Sequence, residues 1–439
     1  MIHLKELIQQ SPYQGYAYAY PHKTAYRFFE KPLSLRDLWK KEAKQNLFLY
    51  VHIPFCEMRC GFCNLFTVAN PKQPLYAPYL AALERQAKQV REALESIQFS
   101  RVALGGGTPT YLSVEELAQV FDIIQNVMGA SSALPTSVEM SPKTVSVEKL
   151  QLLKAQGVTR ASIGIQSFVA EELKALGRPQ RLTEVATALR AIKASGIPFM
   201  NIDLMYGSAT QTPTSWQYSI ESALAYEPEE IFLYPLYIRP LTGLNKRTTT
   251  TDDHRWLLYQ LGKSLLEKNG YRQITKRLFR KEEKSFTKVP PYYSVEDGMV
   301  GIGVGARSYT KEVHYSTEYA VGSKGIKTLI ESYNQQTDQA YQQVVYGVQL
   351  TKQEQKRRYV IKALLEDENR LLTKRYHRYF GTSLSQDFPH LEELFDLKLA
   401  EEDAEKIYLT SEGLAYSDVI GPWLYSASVK DLMQTYELR

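Results

Sequence analysis

From about Asn46 onward, short apolar, β-rich runs alternate with longer helical patterns for about 200 residues. The short runs are LFLYVHI at 47–53, SRVALGG at 100–106, SVEM at 137–140, RASIGIQ at 160–166, FMNIDLMYG at 199–207 and EIFLYPL at 230–236. Between them stand amphipathic stretches from Tyr76 to about Ser96 and at Val114–Val127, Val147–Gln156, Thr183–Ala194 and Thr214–Ala225. Such alternation predicts parallel strands joined by crossover helices. Six strand–helix units make an α/β fold, a partial or full TIM-like (β/α) barrel. The polar or Gly-rich ends of its strands gather at one rim, which is where a site is to be sought.

The pattern changes after Arg239-Pro240-Leu241-Thr242-Gly243. A helix is expected near Asp252–Lys268, a strand at Tyr271–Thr275 and a Gly-rich strand or turn in GMVGIGVGARSY at 298–309, and this region completes the main domain. From about Thr351 a helical run, QEQKRRYVIKALLED, leads into two shorter helical stretches and then IYLTSEGLAY at 407–416. That order suggests a small helical domain with a β-wing, like a winged helix. The expected division is 1–45 as an N-terminal extension, 46–250 as the barrel core, 251–345 as its completion and 346–439 as the C-terminal domain. The extension is rich in tyrosine (Tyr13, Tyr16, Tyr18, Tyr20, Tyr26), and Pro12 and Pro21 argue against one long helix.

Composition removes some classes of function. The formal charge of +5 comes from 53 basic and 48 acidic residues spread along the chain, without the basic block of a nucleic-acid binder, and no basic recognition helix stands out in the winged region. The first residues lack the apolar centre of a signal peptide, and no apolar run reaches the roughly eighteen residues of a membrane span. A cytoplasmic protein with no membrane or nucleic-acid partner and a small-molecule substrate is expected.

The chain has only three cysteines, and all fall in Cys56-Glu-Met-Arg-Cys60-Gly-Phe-Cys63, just after the first predicted strand. An odd number in one short loop is not a disulfide framework. Three thiolates there can converge on a metal centre, and three ligands suit a cubane with one open iron. Structural zinc prefers four protein ligands and would have to recruit His52 or a distant residue. Three free thiols would leave the clustering unexplained.

The CxxxCxxC spacing after a first barrel strand resembles the radical S-adenosylmethionine (SAM) superfamily. Its context, Tyr50-Val-His52-Ile-Pro54-Phe55-Cys56, resembles the oxygen-independent coproporphyrinogen III oxidase family, which includes coproporphyrinogen dehydrogenases, a heme chaperone branch and class C radical SAM methyltransferases. The likeness runs from about 46 to 310. It implies a [4Fe–4S] cluster on the three cysteines that reductively cleaves SAM to a 5′-deoxyadenosyl radical, a reduced flavodoxin or ferredoxin-type electron donor, and a substrate that is a tetrapyrrole or a relative of one.

It also implies SAM contacts. Gly105, Gly106, Gly107 and Thr108 after the second strand match the segment that meets the SAM amino and carboxylate groups, the glycines letting backbone amides approach. Glu139 matches a ribose-binding carboxylate. Gln166, Ser167 and Phe168 match a fourth-strand GxQSF motif. Arg178 matches an arginine that pairs with the SAM carboxylate, and Asp203 a fifth-strand acid. Gly301, Gly303, Gly305 and Ala306 match a late motif that leaves room beside the cofactor, and Tyr50 and Phe62 flank the cysteines.

Three departures mark a distinct subfamily. Leu65 stands where the oxidases carry a further cysteine, Arg239 where many relatives have glutamate, and Arg178-Pro179-Gln180 where Arg-x-His is commoner. Arg239, Lys246 and Arg247 can hold a propionate or phosphate, although a solvated loop is the more ordinary role for such charges. The alternatives to an oxidase are a methyltransferase using two SAM molecules and a heme chaperone of the same fold.

Overall fold

A computed structural model describes residues 3–17, 19–246, 253–282, 294–366 and 370–437. The six expected strands form: β1 (Leu47–Ile53), β2 (Phe99–Gly106), β3 (Thr136–Met140), β4 (Arg160–Gln166), β5 (Phe199–Tyr206) and β6 (Glu230–Pro235). They lie side by side, all parallel, in sequence order. The crossovers are helices α1 (Tyr79–Leu94), α2 (Val114–Asp122), α3 (Val147–Ala155), α4 (Leu182–Ala194) and α5 (Pro213–Leu224). The first expected helix starts later than Tyr76, at Tyr79 after Pro78, and a separate short helix, Gln73–Tyr76, precedes it. The second ends as a wide turn over Ile123–Val127, closed by the Met128 amide on the Ile123 carbonyl.

The strand Met299–Ile302 joins β1 in parallel, while Leu278–Lys281 and Tyr271–Gln273 continue antiparallel from β6. Among the described residues the hydrogen-bonded order runs from Arg27–Ser34 at one edge to Tyr271–Gln273 at the other without returning on itself.

The pleat gives the sheet two unlike faces. Leu47, Leu49 and Val51 of β1 are fully buried beneath the helices. Each is worth roughly 1.5–3 kcal/mol there, so a one-residue slip that turned them inward is strongly opposed. The alternate residues, among them Tyr50, Ala103, Glu139, Gly164, Asp203 and Tyr234, face the hollow of the barrel and keep partial access to water. At the amino ends of the strands, Glu230 accepts from Arg160 at 2.7 Å and Arg280 at 2.9 Å. Burial alone would raise its carboxyl, but the two guanidiniums hold it below the ordinary value and seal that end.

The C-terminal part has its own core, built from residues such as Tyr359, Leu364, Leu394 and Ile420, and Leu4, Ala17, Tyr20 and Ala25 of the N-terminal residues pack into it. The expected wing is half strand and half helix. Lys406–Leu409 pairs with Ala400–Glu402 and Leu371–Leu372, whereas Ser411–Ala415 is helical because the Thr410 hydroxyl caps the Gly413 amide. Two more helices, Ser417–Trp423 and Ala427–Gln434, follow. Tyr18 and Arg247 lie outside the described residues, as does the side chain of Lys246.

Candidate active site

The cysteine loop leaves the carboxyl end of β1 and is pinched shut at its base. Phe55 and Cys56 pair with Val68 and Ala69 in a short parallel ladder, and the Val68 amide donates to the Pro54 carbonyl at 2.7 Å. Within the loop the Cys63 amide donates to the Cys60 carbonyl at 3.1 Å. The Gly61 amide reaches the Leu176 carbonyl at 3.1 Å, and the Gly61 carbonyl accepts from Leu244 at 2.8 Å. A Cβ on Gly61 would stand 2.8 Å from the Leu176 oxygen, so only glycine fits that close approach. Phe62 packs with Leu176, Met205, Leu236 and Leu244 and fastens the loop to the ends of β5 and β6.

Each of two thiols has polar support. Thr67 and Thr108 hydroxyls donate to Cys56 Sγ at 3.1 and 3.4 Å, and Arg178 Nη1 donates to Cys60 Sγ at 2.9 Å. Burial pushes the Cys56 thiol up to about 12 despite the two hydroxyls, and burial followed by the neighbouring Cys60 raises Cys63. Thiols in that state are protonated at neutral pH, so a metal must displace their protons, and donors to sulphur lower that cost.

Among the described residues no three His, Cys, Asp or Glu side chains converge on one point as a single ion requires. A cubane asks for something different, one thiolate on each of three irons, and the chemistry of this donor set fits it. The zinc alternative loses its fourth ligand. His52 is buried, with Nε2 on the Phe66 carbonyl at 2.9 Å and Nδ1 on the Tyr50 hydroxyl at 3.3 Å, and burial lowers its ring to about 4. Both nitrogens are engaged, and the imidazole stays neutral.

Beside the loop, the turn after β2 is tied inward. Gly106 donates to Glu139 at 3.3 Å, Gly107 to the Ile53 carbonyl at 2.7 Å and Thr108 to the Phe55 carbonyl at 2.7 Å. The Gly107 and Thr108 amides thus hold the start of the cysteine loop and the Gly106 amide holds Glu139, while the glycines supply room. Gly106 has φ +111°, and a Cβ there would lie 2.5 Å from the His52 ring.

Glu139 opens onto water in the hollow, yet the surrounding protein and then the charge of Asp203 push its carboxyl up to about 7. Burial raises Asp203 to about 6, against a 2.7 Å hydrogen bond from Asn201. Gln166, at φ +71°, has a buried Oε1 without a partner, as does Asn201 Oδ1. Glu139 and Asp203, which keep access to the hollow, suit a ligand rich in hydroxyl and amine donors, which describes the amino, ribose and adenine groups of SAM.

Residues 50–215 match the profile described as the Radical SAM superfamily. The chain carries a radical SAM domain. It is 28% identical to the heme chaperone HemW of Bacillus subtilis over 393 residues, 85% of this chain and 98% of that protein. It is 26% identical to the oxygen-independent coproporphyrinogen III oxidase of Escherichia coli over 429 residues, 93% of this chain and 92% of that protein. Among solved structures, coproporphyrinogen III oxidase (HemN) from Escherichia coli superposes with a TM-score of 0.77 at 21% identity, covering 99% of both chains, and so has the same fold.

Within the radical SAM domain, Arg178 is more committed than its motif suggests. Its guanidinium holds Cys60 Sγ, the Gly164 carbonyl at 2.6 Å and Gln180 Oε1 at 2.9 Å, leaving one N–H on each terminal nitrogen for an anion. Gln180, in the position of the commoner histidine, braces it and donates to the Ile165 carbonyl at 2.7 Å. The late glycine motif sits behind the site: a Cβ on Gly303 would be 2.5 Å from the His52 carbonyl, and one on Gly305 would be 2.8 Å from Phe66. The Ala306 amide closes that turn on the Gly303 carbonyl. Gly303 and Gly305 therefore make room for β1 and for Phe66 below the cysteine loop, and Ala306 closes the turn that carries them.

The N-terminal residues supply a part of the site that sequence reasoning missed. Tyr13 donates to the Tyr206 hydroxyl at 3.3 Å. Arg277 lies over the Tyr16 ring at 3.6 Å and pairs with both oxygens of Asp418 at 2.8 Å. Lys23 Nζ lies over Tyr319, whose hydroxyl donates to the Asn64 carbonyl at 3.2 Å, next to Cys63. The N-terminal residues thus touch the end of β5 through Tyr13 and approach the cysteine loop through Lys23. Their clustered tyrosines were the only signal.

Proposed function

We propose that this chain is a radical SAM enzyme, an oxidoreductase that abstracts hydrogen from a tetrapyrrole or a related organic substrate in the manner of coproporphyrinogen III oxidases. The observation that carries the reading is the pinched loop holding Cys56, Cys60 and Cys63 at the carboxyl rim, with donors from Thr67, Thr108 and Arg178 on its sulphurs. The three cysteines would hold a [4Fe–4S] cluster, and with SAM bound and an electron from a flavodoxin or ferredoxin-type donor the site would supply a 5′-deoxyadenosyl radical.

The chain's own residues bind and shield. Glu139, Asp203 and Gln166 accept from ligand hydroxyls and amines, the remaining N–H groups of Arg178 face a carboxylate, and Phe62 and Tyr50 wall the cysteine side. Gly106, Gly107 and Thr108 keep that wall thin, Gly303 and Ala306 support it from behind, and the N-terminal segment excludes water from the mouth. A reducing compartment, the cytoplasm, suits three free thiols.

The test is anaerobic: reconstitute with iron and sulfide, reduce with dithionite, add SAM and quantify 5′-deoxyadenosine and S-adenosylhomocysteine against Cys56→Ala. Deoxyadenosine lost in the variant is the expected result; a cluster that forms without yielding it overturns the reading. A second reading, heme chaperone, is favoured by Leu65 in place of the oxidases' further cysteine and by alignment over 98% of the Bacillus subtilis HemW. Equimolar heme binding with no SAM cleavage would select it.

A further inference from the structure

The motif Gln166-Ser167-Phe168 at the end of β4 runs into a helix of only six residues, Ala170–Ala175. Isolated helices of fewer than about twelve residues are marginal, and this one starts after Val169, whose side chain caps nothing. Yet its far end carries much of the support of the cysteine loop. The Gly61 amide rests on the Leu176 and Gly177 carbonyls at 3.1 and 3.2 Å, and the Arg178 amide is tied to the Leu173 carbonyl at 2.9 Å. Gly177, at φ +61°, lets the two segments touch, since a Cβ there would stand 3.0 Å from the Gly61 Cα. Arg178 then places Nη1 2.9 Å from Cys60 Sγ.

Burial of Leu173 and Leu176 holds this helix down, but its direction is fixed by a polar side chain, that of Glu172, which is 1% exposed. Glu172 Oε2 accepts from the Ser167 hydroxyl at 2.7 Å and from Gln211 Nε2 at 3.1 Å, and Oε1 accepts from the Ser215 hydroxyl. Ser167, the residue after Gln166, also accepts from the Val169 amide at 2.9 Å. Gln211 reaches on to the Met205 carbonyl at 3.2 Å and the Gly207 amide at 2.7 Å, at the end of β5, and Ser215 lies in the first turn of α5. One carboxylate thus joins the ends of β4 and β5 to the start of α5, and its three donors are all neutral side chains. Burying a carboxylate among neutral donors costs more than burying an apolar side chain of similar size, so stability does not account for it. A fully satisfied buried network does fix one geometry.

We propose that Glu172 is a positioning residue for the cysteine loop: by fixing the helix Ala170–Ala175 it holds the Leu176 and Gly177 carbonyls against Gly61 and presents the Arg178 guanidinium to Cys60. Hydrogen bonds and positive charge at a cysteine sulphur raise the reduction potential of an iron–sulphur cluster, because they favour its more negative, reduced state. A cluster on this loop therefore takes part of its potential from a carboxylate that acts through Arg178 and Gly61. The effect on a potential rests on the radical SAM reading; the hold on the loop does not.

Two measurements test it. In the cluster-reconstituted protein the potential is read by a redox titration followed by EPR, without SAM. Arg178→Met and Glu172→Leu are each expected to lower it, and the double variant to lie no lower than Arg178→Met alone. Glu172→Gln, which keeps an acceptor for the serine hydroxyls, is expected to match wild type, and Ser167→Ala, which removes one donor, to shift the potential the same way by less. A wild-type potential in Glu172→Leu and Ser167→Ala, with only the melting temperature reduced, overturns the proposal, as do shifts that add in the double variant. In the full chain before iron is added, hydrogen exchange is followed at single amides. Gly61 should exchange about ten-fold faster in Glu172→Leu, while Gly107, bound to the Ile53 carbonyl, is unchanged. Gly61 protection equal to wild type overturns the proposal whatever the cluster does. Wild type that takes up no cluster refutes the radical SAM reading instead, and exchange at Gly61 then decides the role of Glu172 by itself.

Discussion

Glu139 and Asp203 stand on β3 and β5 with β4 between them, and each carboxyl is raised, to about 7 and about 6. A raised acid binds protons more tightly in the folded chain than in the unfolded one. The cofactor-free protein should therefore lose stability as pH rises from about 4.5, the ordinary glutamate value, to about 7. Glu139→Gln removes the larger share of that slope, which thermal melts at stepped pH will read; a slope unchanged by the substitution would contradict the paired-acid account. Water reaches Glu139 in the hollow, so the effect is one of direction and should weaken with salt. Neither acid could be read as coupled from the sequence, where they lie in separate runs. Gln166 is similar: its motif was legible, but the orphaned Oε1 that makes it an acceptor exists only once β4 is bounded by its neighbours.

At the scale of elements, one ion cluster joins parts far apart in the chain. Asp418, at the start of the helix Ser417–Trp423, is 1% exposed and pairs with Arg277 and Lys276 on the segment leading into Leu278–Lys281, while Tyr237 donates to it at 2.7 Å. Burial would raise the Asp418 carboxyl, but Arg277 and Lys276 hold it below the ordinary value. Asp418→Asn leaves two buried cations uncompensated and should cost about 3–5 kcal/mol, seen as a lower urea midpoint. Asp418→Asn, Lys276→Met should recover part of the loss. The sequence displayed both elements, yet nothing in local periodicity links position 277 to 418, because their contact is a product of packing.

For the molecule as a whole, the N-terminal segment links the barrel's mouth to the C-terminal core. Tyr13 meets Tyr206 of β5, whereas Leu4, Ala17, Tyr20 and Ala25 are buried among the C-terminal helices. Removing residues 3–25 should expose the region from Lys352 onward to protease well before the barrel, whose main core lies under α1–α5. Limited proteolysis with mass spectrometry will show the order of cuts, and simultaneous digestion of both parts would disprove this division of labour. The α/β alternation, the six strands and the clustered cysteines were legible in the sequence because each is local: strand and helix periods repeat within ten or so residues, and CxxxCxxC closes on itself. What tertiary structure alone decided is long-range. The commitment of Arg178 to Cys60, the pairing of Arg277 with Asp418 and the meeting of Tyr13 with Tyr206 all bring together side chains whose separation in sequence carries no periodic signal, and only the burial of a shared core sets their distances.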